Sequence, residues 1–130
     1  ANAAVMAEAF LQNRVSLITG GTSNHLLLID SIKSFGISGK EAQILFDRIG
    51  ITLNMNMIPD DSRSPMDPSG IRLGTPAMTT RGMKEREMKK IVEFMIAAVE
   101  VKNNDNKIHD LRSQVAQFAR QFPVPGLGDV

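Results

Sequence analysis

The sequence predicts an α+β domain, a two-layer sandwich in which a small antiparallel sheet carries helices on one face. Short apolar segments bounded by glycine, proline and polar residues are typical of strands. Two segments near the C-terminus repeat apolar residues every three or four positions, which is typical of helices packed on one side. The predicted order is helix, strand, strand, helix, strand, strand, helix, helix, and such paired short strands favour an antiparallel sheet.

Composition limits the function classes. The 130 residues suffice for one domain with a buried core, and 42% hydrophobic and 22% charged residues are ordinary for a soluble protein. A net charge of +1, with neither Trp nor Tyr, disfavours a nucleic-acid module. The absence of cysteine excludes disulfides and thiolate chemistry. No apolar run is long enough for a membrane helix, and the first residues lack the basic-then-apolar layout of a secretory signal, so we expect no membrane partner and a cytoplasmic location.

The N-terminal third is predicted to contain one helix and two strands. Residues 2–12 are rich in alanine and should form the tail of a helix, and the absence of an initial Met suggests a cut end. Residues 15–19 and 26–30 are strand candidates. The turn-rich residues 20–25 between them should make the two strands a hairpin.

The middle of the chain has a clear helix start. Ser38 is followed three residues later by Glu41, which is the pattern of a capping box and predicts a helix over 39–49. Gly50 should end it in a left-handed conformation. Residues 51–55 are predicted to form the next strand.

A proline-rich loop, 57–69, then leads to the strand that carries Arg72. A structureless loop of this length inside a small domain is more often functional than idle. After the strand, Thr75 and Pro76 should open a one-turn helix that ends near Gly82.

Two amphipathic helices complete the fold, and the tail 123–130 should be extended or loose because two prolines interrupt it. Asn104 or Asp105 should cap the second helix. The apolar stripes are Met88, Ile91, Val92, Met95 and Val99 in the first helix, and Ile108, Leu111, Val115, Phe118 and Phe122 in the second.

Arg72 is the strongest candidate for a binding residue. It lies in a short apolar strand between Gly70 and Gly74, and its planar guanidinium can hold a carboxylate with two hydrogen bonds. The alternative is a surface arginine whose stem lies on apolar neighbours. His25 and His109 are isolated and are better explained as a structural and a solvated residue, and no ligand spacing indicates a metal site. No catalytic set is complete.

Six segments, in order, resemble serine hydroxymethyltransferase, and only its C-terminal part. They are GGTSNHL (20–26), LLID (27–30), SGKEA (38–42), GITLNMNMIP (50–59), SGIRLGTP (69–76) and TTRG (79–82).

The resemblance implies the small C-terminal domain of an aspartate-aminotransferase-type fold, with residues 1–12 ending an interdomain helix. The family uses pyridoxal phosphate to move a one-carbon unit between serine and tetrahydrofolate, leaving glycine, and works as a homodimer. The resemblance also implies that Arg72 binds the α-carboxylate of serine or glycine. Asn56 matches a position that hydrogen-bonds the folate pteridine, and Ser64, Pro65 and Met66 match a segment lining the folate site.

The sequence departs from the family pattern in places. Met66 stands where most members have an aromatic residue, Asp67 and Pro68 replace Val/Thr-like or Tyr/Thr-like residues, and Ser23 replaces an Asp. No lysine follows a histidine as the cofactor lysine of the family does. We therefore expect a truncated chain that lacks the catalytic large domain, binds no cofactor alone, is inactive and can self-associate through exposed apolar surface. The alternative is a freestanding binding or scaffold domain.

Overall fold

The computed structural model describes residues 2–18, 26–74 and 82–122, and over these it confirms an α+β architecture with a three-stranded antiparallel sheet. The elements are α1 (Asn2–Gln12), β1 (Leu26–Asp30), α2 (Ser31–Phe35), α3 (Gly39–Arg48), β2 (Asn54–Asn56), β3 (Gly70–Gly74), α4 (Glu85–Glu100) and α5 (Asp105–Ala119).

The sheet has the order β1-β3-β2, so the strand that carries Arg72 is central. Leu28 and Asn54 both pair with Arg72 across the two ladders. Because side chains alternate along a strand, these three residues lie on the same face of the sheet. The edge of β2 is covered by α3, since Gln43 Oε1 accepts a hydrogen bond of 2.7 Å from the backbone N–H of Met55.

The opposite face of the sheet packs into the hydrophobic core. Its four central side chains, Leu27, Ile29, Ile71 and Leu73, are all buried. They form one hydrophobic cluster with the helices, which therefore cover this face as predicted. The largest fully buried contributions of the helices are Met6 and Phe10 of α1, Phe46 of α3, and Met88, Val92 and Met95 of α4.

Local signals at the helix ends are confirmed. Ser38 Oγ accepts from the backbone N–H of Glu41, and Glu41 Oε1 accepts from the backbone N–H of Ser38, which completes the capping box of α3. Gly50 follows this helix with a φ of 86°, a conformation that favours glycine. Asn104 caps α5 by accepting from the backbone N–H of Lys107 at 3.1 Å.

Two predicted strands were wrong in detail, and one short helix was missed. The predicted strand at 15–19 is, over its described residues, an isolated bridge between Leu17 and Ile29. The predicted strand at 51–55 lies later, at β2, because residues 51–53 lead out of α3 and pairing with β3 begins only at Asn54. The short helix α2 was not predicted: Asp30 caps it at one end and Gly36, with a φ of 73°, ends it.

Other predictions fall on residues outside the described ranges. These are the hairpin turn at 20–25, the one-turn helix after Thr75 and the tail at 123–130. In the described ranges no helix has the length and hydropathy needed to span a membrane.

Candidate functional site

Arg72 lies on the sheet face opposite the one on which the described helices pack. Its neighbours in β3, Ile71 and Leu73, are buried in the core, whereas Arg72 itself is exposed. Flanking strands pair with β3 on both sides at this residue, so its backbone is fixed. Its guanidinium makes no hydrogen bond or ion pair with any described residue. The strand therefore presents a cation from a rigid support, and no described residue neutralises it.

Asn56 lies on the same face as Arg72. It pairs with Gly70, two residues before Arg72 in the central strand, and diagonal neighbours of this kind are about 7–8 Å apart. Its Nδ2 donates a 2.7 Å hydrogen bond to the carbonyl of Met57. This bond orients the side-chain amide and leaves Oδ1 as the acceptor.

The loop between β2 and β3 is closed at its base by Asp61. This carboxylate accepts hydrogen bonds from the backbone N–H groups of Ile58 (3.3 Å), Arg63 (2.9 Å) and Ser69 (2.9 Å), and from the Ser69 hydroxyl (2.8 Å). It thus joins the two ends of the loop. The Ser69 N–H is the main cause that holds the pKa of Asp61 at about 2, below its ordinary 3.8, with the other three donors adding to it.

The tip of the loop is Ser64, Pro65 and Met66, and all three residues are exposed. Met66 has 76% of its surface exposed, the most of any large hydrophobic residue in the described ranges. The tip is closed by Arg63, whose Nη2 lies 2.8 Å from Asp67 Oδ2 and whose Nε donates to the Asp67 carbonyl at 2.9 Å. We call these two residues the tip pair.

Asp67 also faces the beginning of α3. Its Oδ1 is buried without a hydrogen bond of ordinary geometry, close to the Ser38 hydroxyl and the backbone N–H of Lys40. Ser38 is the largest cause that lowers the pKa of Asp67, and the hydrogen bond and charge of Arg63 act in the same direction against partial burial. The Asp67 carboxylate therefore lies between Arg63 of the loop and the N-terminus of α3.

The end of the loop and the beginning of α3 are also in close backbone contact. The N–H of Gly39 donates a 2.7 Å hydrogen bond to the carbonyl of Pro68. A Cβ on Gly39 would overlap the carbonyl oxygen of Gly70 and lie 2.9 Å from that of Pro68. Only glycine permits this approach, so α3 holds the start of the strand that carries Arg72.

The structure brings Arg72 and Asn56 onto one sheet face and places Ser64, Pro65 and Met66 on the loop that joins their strands. It does not connect the tip to either side chain by a hydrogen bond. Sequence reasoning missed Asp61 and the tip pair, although opposite charges four residues apart around a Ser-Pro turn are a readable signal. Among the described residues, no group of three His, Asp or Glu could hold a metal ion.

Comparison with known proteins gives the family of this chain. A family model described as serine hydroxymethyltransferase matches residues 1–95. The chain belongs to the serine hydroxymethyltransferase family. The matched segment contains the loop, the tip pair and the strand of Arg72, so the site just described lies within the part that carries the relationship.

Two curated relatives show how much of a serine hydroxymethyltransferase this chain represents. The serine hydroxymethyltransferase of Acidobacterium capsulatum is 46% identical over 125 residues, which cover 96% of the chain and 29% of the relative. That of Rhodopirellula baltica is 44% identical over 128 residues, covering 98% of the chain and 30% of the relative. The chain thus spans less than a third of each relative and matches the C-terminal part of both.

Replacing Asp61 by Asn should remove part of the acid sensitivity of the chain. The folded-state pKa of Asp61 is below its unfolded value, so the carboxylate stabilises the fold above pH 3.8 and loses this contribution as the pH falls towards 2. Asn cannot titrate and cannot accept from all four donors. We expect Asp61→Asn to lower the free energy of unfolding at pH 6. Near pH 2 the free energies of unfolding of the variant and the parent chain should become similar.

Urea unfolding between pH 6 and pH 2 measures this difference, and amide exchange at pH 6 should be about tenfold faster at Ser69 in the variant. Asp60→Asn is the matched control, because Asp60 is the adjacent exposed carboxylate and takes no part in the network. An equal loss of pH dependence in that control would contradict the role of Asp61.

Proposed function

We propose that this chain is the C-terminal domain of a serine hydroxymethyltransferase of the aspartate-aminotransferase fold type, which interconverts serine plus tetrahydrofolate and glycine plus methylenetetrahydrofolate. The observation that carries the proposal is the position of Arg72, an exposed arginine of the central strand that has no ion-pair partner among the described residues. Family membership supports the reaction class. The proposal includes a homodimer and a cytoplasmic location.

In this proposal Arg72 holds the amino-acid substrate by its α-carboxylate. The guanidinium offers two parallel N–H donors to a carboxylate, and this fork fixes direction as well as position. Since β3 is paired on both sides, the fork moves little, and the amino acid is held with its reacting bond in a defined orientation.

Asn56 and the loop tip form the folate side of the proposed site. Asn56 Oδ1 is free to accept a hydrogen bond from the pteridine, because its Nδ2 is held by the Met57 carbonyl. Met66 offers an exposed, polarizable apolar side chain to a flat aromatic ring, with Ser64 and Pro65 beside it. The amino acid and the folate would then both be bound by residues of β2, β3 and the loop that joins these strands.

In this proposal the lysine that binds pyridoxal phosphate does not come from this chain. All seven of its lysines lie on helices or at helix ends, and none lies in the sheet beside Arg72. We therefore assign the cofactor lysine and phosphate contacts to the part of the enzyme that the relatives have and this chain does not span. The cofactor would supply the electron sink there, and this chain would orient the substrate.

The test is the activity of the full-length protein that carries this chain. We expect it to bind pyridoxal phosphate, with the corresponding yellow absorbance, and to form glycine from serine only when tetrahydrofolate is supplied. The 130-residue chain alone should show neither property. A full-length protein that shows no cofactor absorbance and whose binding does not depend on serine would contradict the proposal. This result would favour the alternative, a scaffold domain.

A further inference from the structure

We propose that Arg63 and Asp67, the tip pair, are positioning residues that hold Ser64, Pro65 and Met66 ready for the pteridine ring of tetrahydrofolate. This inference rests on the proposed function and deepens it. We expect the tip pair to affect the affinity for tetrahydrofolate and not the affinity for serine. The pair closes the tip and makes no hydrogen bond with Arg72.

Three contacts close the tip segment from both ends. Arg63 reaches the carboxylate of Asp67 with Nη2 at 2.8 Å and the carbonyl of the same residue with Nε at 2.9 Å. The backbone N–H of Asp67 donates to the carbonyl of Ser64 at 3.0 Å. Two of the contacts bind backbone groups, so the pair fixes the path of the chain as well as the two side chains.

Inside this closure one further hydrogen bond holds the backbone of the tip. The backbone N–H of Met66 donates to Ser64 Oγ at 3.1 Å, which leaves the Met66 side chain directed outward and 76% exposed. An exposed apolar side chain on a fixed backbone is suited to contact with a flat ring. Fixing it in advance lowers the conformational entropy that would be lost on binding.

The residue after Asp67 joins the closed tip to the body of the domain, because the carbonyl of Pro68 accepts a 2.7 Å hydrogen bond from the backbone N–H of Gly39. The second carboxylate oxygen of Asp67 is buried beside Ser38, the residue that caps α3. The tip is therefore oriented relative to α3 and, through Gly39, relative to the start of β3. A loose tip could present Met66 in many directions, whereas an anchored one presents it in a single direction.

The size of the effect follows from the exposure of the pair. The side chains of Arg63 and Asp67 are 39% and 41% exposed, so solvent screens much of their attraction. Breaking such a pair should change binding about threefold rather than a hundredfold. Serine binding at Arg72 should not change.

The test uses Arg63→Met, Asp67→Asn and the double variant in the full-length protein, with KM measured separately for tetrahydrofolate and serine. Each single variant should raise KM for tetrahydrofolate about threefold, and Arg63→Lys should have an intermediate effect. The double variant should be no worse than the poorer single variant, since both changes break one unit. The matched control is Asp105→Asn, which removes the exposed Arg48–Asp105 pair of 3.0 Å elsewhere in the chain.

The possible outcomes distinguish a failure of the role of the tip pair from a failure of the proposed function. Equal rises in KM for both substrates, additive effects in the double variant, or the same change in Asp105→Asn would overturn the role of the tip pair and leave the proposed function standing. Turnover of serine that does not depend on tetrahydrofolate in the parent protein would overturn both.

Discussion

Replacing Arg72 by Ala should lower kcat/KM for serine by about a hundred- to a thousandfold while the absorbance of bound pyridoxal phosphate stays unchanged. Loss of a charged two-bond contact with a carboxylate corresponds to about 2–5 kcal/mol, and each 1.4 kcal/mol is a factor of ten. Arg72→Lys keeps the charge and loses the planar fork, so its loss should be about tenfold to a hundredfold. Steady-state kinetics and serine titrations of the full-length protein measure both.

The fold should be unaffected by this change. Arg72 is exposed and makes no hydrogen bond with the described residues, so its removal leaves no buried group unpaired. Arg120→Ala is a suitable control, because Arg120 is an exposed arginine at the end of α5. If serine and glycine bound normally to Arg72→Ala, the carboxylate role of Arg72 would be wrong.

The boundaries of elements that depend on local residues could be predicted from the sequence. The boundaries of strands that depend on pairing with another strand could not. The capping box of Ser38 and Glu41 determines where α3 begins, and neither residue depends on the rest of the fold. In contrast, residues 51–53 have strand-like alternation, yet the ladder starts at Asn54 because β3 determines the register. The five residues of α2 are too few for a visible periodicity.

The candidate site shows the same division. An arginine between two glycines in an apolar strand could be selected from the sequence, and alternation predicts its exposure. The network of Asp61 could not be predicted, because it joins Ile58 to Ser69, which lie eleven positions apart in irregular backbone. The structure also gives Asp67 a partner, because its carboxylate accepts a hydrogen bond from Arg63.

Replacing Gly39 by Ala should be the most disruptive single methyl addition at the site. The new Cβ would meet two carbonyl oxygens, those of Gly70 and Pro68, and backbone cannot yield as a flexible side chain can. Overpacking of this kind costs about 1–3 kcal/mol, which urea unfolding of the chain should show as a lower midpoint at unchanged slope. Lys40→Ala, one residue later on the exposed side of α3, should leave the midpoint nearly unchanged.

The same substitution separates two views of how Arg72 is positioned. If α3 holds the start of β3 through Gly39, moving the two apart displaces Arg72 as well as the loop end, and a displacement of about 1 Å can cost a hundredfold in rate. Gly39→Ala in the full-length protein should then lower kcat/KM for serine about tenfold or more, beyond its loss of stability. A destabilised variant with normal serine kinetics at low temperature would instead mean that strand pairing alone positions Arg72, with α3 acting only as a support for the core.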